Sequence, residues 1–277
     1  MKKEIVSVIG LGFVGFPTAC VLANSKNVSN KNFFEVNGID KNISKINNIV
    51  GKKKFFNTSL GDKEFNKLIK NAITKNKIIF SNKIANVSKS DIVVISIGFD
   101  FNQSNFRKKF LELKKFFDEL GKHIKPKSLI LVETTLPPGT CDKIILPTLE
   151  SRLKRRKLNI KDIFFCYSYE RIMPGNNYID SIINNYRCYS GMNTISKIKC
   201  KNFLKKFVNY KKYKFFEFEN LIDCEVSKIL ENSYRAINIA FIDEWTKFSF
   251  VSKINLNQII NAIKLRPTHN NIMRPGL

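Results

Sequence analysis

Gly10-Leu11-Gly12-Phe13-Val14-Gly15 carries three glycines at the spacing that brings a peptide backbone up to a phosphate. Gly10 lets the chain turn sharply. Gly12 has no Cβ to hold a pyrophosphate away, and Gly15 permits close packing of the residues on either side of the turn. Asp40 follows at the end of the next apolar run. A carboxylate there would hold ribose hydroxyls and repel a 2′-phosphate, which favours NAD over NADP. Far along the chain, Lys228 and Asn232 stand four residues apart, with Glu231 and Arg235 beside them. That spacing puts each pair on one face of a helix. By spacing alone, the Lys228/Asn232 pair reads as a solvated face. Read as residues, Glu170 can pair with Arg171 at a strand end, and Thr135 can cap the turn before Pro137-Pro138.

The elements around these residues have a regular order. Ile5 to Ile9 is a short β-branched run, then comes the glycine-rich turn, a helix over Phe16 to Ala23 with Pro17 in its first turn, and a second strand over Phe34 to Ile39. The helix start would present free N–H groups and a partial positive charge to phosphates. Asn24 to Asn32 is polar and reads as a surface insertion. Helices are expected over Ile43 to Ile49, Asp62 to Asn76, Phe106 to His123 and Leu146 to Lys157. Strands are expected over Lys77 to Ser81, Asp91 to Ile97, Ser128 to Glu133 and Asp162 to Tyr167, with a last one over Arg187 to Ser190. Such alternation indicates a Rossmann-type, doubly wound parallel α/β sheet. Gly10, Asp40, Gly98, Thr134, Thr135 and Glu170 then gather where strands end, on the edge where ligands bind. A long helix over Leu221 to Phe250 and a short one over Asn257 to Leu265 follow. The division expected is a dinucleotide-binding domain over 1–215 and a central long-helix domain over 216–277.

Composition narrows the class. At 277 residues and 43% hydrophobic, the chain is long enough for a sizeable core and for more than one domain. No apolar run approaches transmembrane length, and the first residues enter a strand directly, so the expectation is a cytoplasmic protein with no membrane partner. Six scattered cysteines without CxxC spacing fit a reducing compartment, and with two histidines they offer no metal site. The net charge of +25 invites a nucleic-acid reading. The lysines are spread along the chain instead of forming one face, so no nucleic-acid partner is expected, though a basic surface would steer anionic nucleotides inward.

Taken together, several stretches resemble the UDP-glucose/GDP-mannose 6-dehydrogenase family of nucleotide-sugar dehydrogenases. They are Val8 to Gly15, Glu133-Thr134-Thr135-Leu136-Pro137-Pro138-Gly139-Thr140, Tyr169-Glu170-Arg171 with Pro174-Gly175, and Lys228 to Ala236 continuing to Phe241 and Glu244. The matches follow the family's order along nearly the whole chain. The resemblance implies NAD-dependent oxidation of C6 of a UDP-sugar to a uronic acid, for surface polysaccharide synthesis, with two NAD used per turnover. It implies that Lys228 and Asn232 stabilise negative charge on the C6 oxygen, and that Glu170 and Thr135 position water or assist acid–base steps. Gly10, Gly12, Phe13, Val14, Gly15, Asp40, Gly98 and Thr135 become the expected cofactor contacts. Relatives dimerise through the long helix, so a homodimer is expected. The Glu170-Arg171-x-x-Pro174-Gly175 form is similar to the branch acting on UDP-N-acetylhexosamines.

Two departures stand out. Many relatives carry Thr-Pro where this chain has Gly98-Phe99. In relatives, the equivalent of Arg274-Pro275-Gly276 leads into a loop with the catalytic cysteine that forms a thioester, then a third, nucleotide-binding domain; here the sequence ends at Leu277. The expectation is therefore a chain that binds NAD without completing the oxidation. A related NAD-dependent hydroxyacid dehydrogenase and a non-catalytic NAD-binding or assembly protein stand as alternatives.

Overall fold

In the computed structural model, residues 3–275 are described except 28, 52–61, 100, 103 and 174. The Lys52 to Lys54 loop, Pro174 of the Tyr-Glu-Arg motif, and Gly276 and Leu277 therefore lie outside the described residues. The chain packs as two units, Met1–Val226 and Ser227–Leu277.

The first unit is built on an eight-stranded sheet in the order β3-β2-β1-β4-β5-β6-β7-β8. The strands are β1 (Glu4–Ile9), β2 (Phe34–Ile39), β3 (Ile78–Ser81), β4 (Ile92–Ile95), β5 (Leu129–Val132), β6 (Phe164–Tyr167), β7 (Cys188–Gly191) and β8 (Phe216–Glu217). The first six are parallel, and the order reverses between β1 and β4, which makes the switch point of a doubly wound sheet. β4 and β5 are buried along their whole length, as expected for strands covered on both faces. The helices of this unit are α1 (Gly15–Asn24), α2 (Ile43–Val50), α3 (Lys63–Thr74), α4 (Phe106–His123), α5 (Leu146–Arg155), α6 (Tyr178–Ile183) and α7 (Thr194–Leu204). One apolar core joins α1, α3, α6 and α7 to one face of the sheet; a second joins α4 and α5 to the other.

Three features differ from the sequence reading. β7 runs antiparallel to β6, so the sheet is not parallel throughout. β7 is also not the last strand: β8 pairs with it and carries the sheet to Glu217, past the boundary expected at residue 215. The physical cause is the length of the β6–β7 connection. The one helix among its described residues, α6, has six residues, too few to cross the sheet and return parallel. In addition, a π-helical turn over Cys141–Ile145 leads into α5, with Pro147 in that helix's first turn.

α8 (Leu221–Ser252) starts in the first unit and supplies most of the second, followed by α9 (Leu256–Ile263). The second unit's core is small: Ile242, Leu256 and Ile260, with Ile272 packed on them. Leu230, Tyr234, Ile237, Phe241, Trp245 and Phe248 of α8 remain exposed.

Candidate functional site

The register places the site. Ile9, Ile39, Ile95, Val132 and Tyr167 form one row across five parallel strands. The next residue on each strand is Gly10, Asp40, Ser96, Glu133 and Ser168. Chemistry therefore collects on one sheet edge because parallel strands end together.

Gly10 has a positive φ of 91° and sits against the Ser96 carbonyl. Gly15 packs on the Gly10 carbonyl so tightly that a Cβ there would lie 1.9 Å from the oxygen. At Gly12 an added Cβ would meet nothing within 4 Å, which leaves the backbone open to a ligand. Val14 is the N-cap residue of α1 and has no side-chain cap; in the first turn Phe16 N already donates to Gly12 O and Pro17 carries no N–H, which leaves the Gly15 N–H as the helix-start donor for an anion. Phe13 is half-exposed, and its carbonyl accepts from the Tyr178 hydroxyl.

Asp40 is 6% exposed. It accepts from Leu11 N at 2.9 Å, Asn42 N at 2.9 Å and Lys45 Nζ at 2.8 Å. Burial pushes its carboxyl up, but the Lys45 ammonium and the two backbone N–H groups outweigh it and hold the group below the usual carboxylate range. It therefore stays ionised beside the glycine turn. Gly10, Gly12, Asp40 and Gly98 line a cavity of about 580 Å³, together with Lys45 and Ser96. The cavity fits the adenosine half of a dinucleotide: an open glycine, a fixed carboxylate for ribose hydroxyls and a helix start for the pyrophosphate.

Behind the cavity, Glu133 and Arg187 form an ion pair at 3.5 Å with side chains only 1% and 2% exposed. Burial raises the Glu133 carboxyl, the charge of Glu170 raises it further, and Arg187 and the Ser96 hydroxyl oppose the rise. Glu170 accepts from Ile172 N. Its charge also reaches the Tyr178 phenol, which burial and Glu170 both push up. Glu170 is thus close to the tyrosine that holds the glycine turn. Arg171 donates to the Tyr186 carbonyl and the Tyr169 hydroxyl, both at 3.0 Å, and lies over the Tyr169 ring.

Thr135 is exposed and has no hydrogen-bond partner among the described residues. The turn is closed by its neighbours instead: Thr134 donates to Ile97 O at 2.8 Å, and Thr140 to Pro137 O. Glu225 accepts from Gly139 N and Cys141 N, so the buried first turn of α8 is tied to the Pro-Pro-Gly loop. Lys228 and Asn232 belong to the second unit, four residues apart on α8; Lys228 is 9% exposed and Asn232 is exposed.

The first unit therefore brings together the glycine turn, Asp40, Gly98 and Glu170. Lys45, Ser96, Glu133, Arg187, Tyr178 and Glu225 had not been singled out from the sequence. Glu225 had a readable signal, an acid one turn before Lys228 on an apolar stretch. The others had none, since their partners are distant in the chain.

All six cysteines are buried and free. Burial raises the thiols of Cys20, Cys141, Cys200 and Cys224. Cys224, the one nearest Lys228 in sequence, is fully buried and points at the Tyr167 carbonyl at 3.8 Å. None of these four has the exposed, low-pKa setting of a nucleophile. Among the described residues no His/Cys/Asp/Glu cluster is suited to a metal, and no helix is long and apolar enough to cross a membrane.

A doubly wound sheet with a glycine turn at its first strand, an acid at its second and an open switch-point cavity defines a dinucleotide-binding oxidoreductase domain. Residues 4–208 match the NAD binding domain of the UDP-glucose/GDP-mannose dehydrogenase family, and residues 223–277 match that family's central domain. The chain belongs to the UDP-glucose/GDP-mannose dehydrogenase family, and its cofactor is NAD. It is 28% identical over 273 residues to the UDP-N-acetyl-D-mannosamine dehydrogenase of Methanocaldococcus jannaschii, covering 98% of this chain and 57% of that one. The UDP-D-ManNAc dehydrogenase structure from Pyrococcus horikoshii shares the fold with a TM-score of 0.78 at 23% identity, over 98% of this chain and 60% of that one. The GDP-mannose dehydrogenase of Pseudomonas aeruginosa gives a TM-score of 0.75 at 17% identity, over 93% and 56%. The chain thus spans somewhat under two thirds of the relatives it matches.

NAD is expected to bind more tightly than NADP, because the ionised, buried Asp40 would meet a 2′-phosphate on the ribose with like charge. Competitive titration by NADH and NADPH fluorescence checks this. Asp40→Ala should narrow the gap, and equal affinity of the unaltered protein for both would show that Lys45 cancels the carboxylate.

Proposed function

We propose that this chain carries the cofactor-binding and part of the substrate-binding machinery for NAD-dependent oxidation of C6 of a UDP-linked N-acetylhexosamine to the uronic acid. The observation that carries the reading is the row Gly10, Asp40, Ser96 and Glu133 across the strand ends, with Glu170 beside it. The substrate class is supported by the relatives named for UDP-N-acetyl-D-mannosamine. Bound NAD would supply the hydride acceptor. Asp40 would orient the ribose, and the α1 start would hold the pyrophosphate. Glu170, fixed by Ile172 N, would accept or return a proton near the reacting carbon, and Thr135, with its hydroxyl uncommitted, would place water. Lys228 and Asn232 would stabilise the charge that develops on the C6 oxygen.

The second oxidation needs the aldehyde held as a covalent adduct, and the four cysteines with raised thiols are poorly suited to hold it. Purified chain given NAD and UDP-hexoses should therefore bind NAD stoichiometrically and form no uronate. Sustained uronate formation would overturn this, and Cys224→Ser would then show whether that thiol is the nucleophile. In a chain competent for turnover, Lys228→Ala should slow the chemical step by roughly two orders of magnitude with NAD affinity unchanged, as for loss of one oxyanion-stabilising group. Unchanged turnover would make Lys228 a structural lysine.

The exposed apolar stripe of α8 supports a homodimer formed through that helix. Sedimentation at micromolar protein should show a dimer. A clean monomer would count against it.

A further inference from the structure

The face of the first unit made by α4 and α5 carries a groove of about 1090 Å³. Its apolar lining comes from Phe106, Phe110, Leu111, Ile144 and Pro147. Phe106 and Phe110 meet edge to face, with ring centroids 4.7 Å apart, and Leu111 is 60% exposed. Arg107, Lys114, Lys115, Lys143 and Arg155 surround that floor. All five are exposed, and none forms an ion pair among the described residues.

The acids of these two helices find their ion-pair partners outside the groove's five cations. Glu112 pairs with Lys109, Glu119 with Lys122 and His123, and Glu150 with Lys154. Asp118, the acid in the groove wall, is bound by both Arg152 Nε and Nη2. Every acid of α4 and α5 therefore has its ion pair with a cation outside the groove's five, and only Asp118 also feels the charge of one of them, Arg155. The groove keeps a net positive rim around an apolar floor.

We infer that this groove docks an acidic, amphipathic helical segment of a partner protein. Apolar residues at helical spacing would fill the floor, and Glu or Asp on the flanks would meet the rim. From Phe106 to Asp118 the groove wall is ~18 Å long at the helical rise per residue, room for a docked segment of about three turns. The other anionic partners fit less well. A nucleic-acid backbone offers nothing apolar to the floor, and a bilayer is penetrated by a protruding apolar tip, whereas this surface is concave. Lys115 lines both the groove and the cofactor cavity, so an occupant would lie against the wall of the NAD site.

The test uses a fluorescein-labelled helical peptide of about three turns with a Leu/Phe face and a Glu face. Fluorescence anisotropy compares it with a polyglutamate of the same charge, a Lys-faced counterpart, a short DNA duplex and anionic phospholipid vesicles. The acidic amphipathic peptide should bind, weaken as salt rises, and exceed every comparison ligand. Lys114→Glu/Lys143→Glu should weaken it at least about tenfold, since both reversals place like charge against the peptide. Leu111→Ser should weaken it as well, and Lys67→Glu/Lys70→Glu on α3 should not. Circular dichroism and NADH binding show whether each variant is folded. No binding, equal binding of polyglutamate, preference for DNA or vesicles, or equal loss in the α3 variant would each overturn the assignment.

Discussion

Gly15→Ala is expected to lose most NAD binding and to lower stability, whereas Gly12→Ala is expected to lose NAD binding alone. At Gly15 the new Cβ would lie 1.9 Å from the Gly10 carbonyl oxygen, and that oxygen belongs to backbone already placed against β4. The Gly10 turn has little room to retreat, because its own φ is 91° and it lies so close to β4 that a Cβ on Gly10 would come within 2.7 Å of Ser96 O. Overpacking of this kind costs about 1–3 kcal/mol, and here it distorts the turn that meets the pyrophosphate. Gly12 has nothing within 4 Å of the Cβ position, so its substitution costs the free protein almost nothing. The same methyl occupies space that a pyrophosphate needs, and affinity should fall by roughly tenfold or more, about 1.4 kcal/mol. Thermal melts with NADH titrations separate the two cases. A Gly15→Ala protein with unchanged melting and affinity would show that the turn is not built as described.

Arg187→Ala should be the most destabilising single change outside the glycine turn, by about 3–5 kcal/mol at neutral pH, because it strands a buried carboxylate. Glu133 and Arg187 are both almost fully buried, and among the described residues Arg187 is the one cation paired with Glu133, whose other side-chain partner is the neutral Ser96 hydroxyl. The pH dependence follows from Glu133. Its folded carboxyl is raised above the ordinary 4.5 by burial first and by Glu170 second. The folded state then holds its proton to higher pH than the unfolded state, so stability falls as pH rises from the unfolded value through the folded one. Removing Arg187 removes the main opposing influence and extends that window upward. Below the unfolded value Glu133 is protonated in both states, and the deficit should shrink to the lost packing of the arginine stem. Denaturant unfolding at acidic and neutral pH measures this. The double variant Arg187→Met/Glu133→Leu should recover much of the stability; a pH-independent deficit would mean that Glu133 is not the stranded charge.

The relation between Glu133 and Arg187 explains why part of the site was hidden. Both residues stood in plain view, one opening the Thr-Thr-Leu-Pro-Pro-Gly run and the other preceding a strand. Nothing in their spacing joins them, since 54 residues and the β5-β6-β7 order separate the partners. Lys45 was hidden for a related reason. It lies only five residues past Asp40, but its pairing depends on how α2 leaves the sheet edge. Thr135 shows the reverse case. Turn capping was an open reading, and the structure gives that work to Thr134 and Thr140.

The sequence by itself determined the glycine turn, Asp40, the alternation of strands and helices, and the α4 helix from Phe106 to His123. All of these are local: glycine without a Cβ, period-two and period-3.6 apolar patterns, and caps act within a few residues. Only the tertiary structure decided that Gly10, Asp40, Ser96 and Glu133 end in one row, that β7 turns back and β8 follows it, and that Arg187 is buried against the Glu133 carboxylate and Glu225 on the distant Gly139 and Cys141 backbone. Those outcomes depend on strand register and on the length of each crossover, and they bring together residues that no periodicity relates.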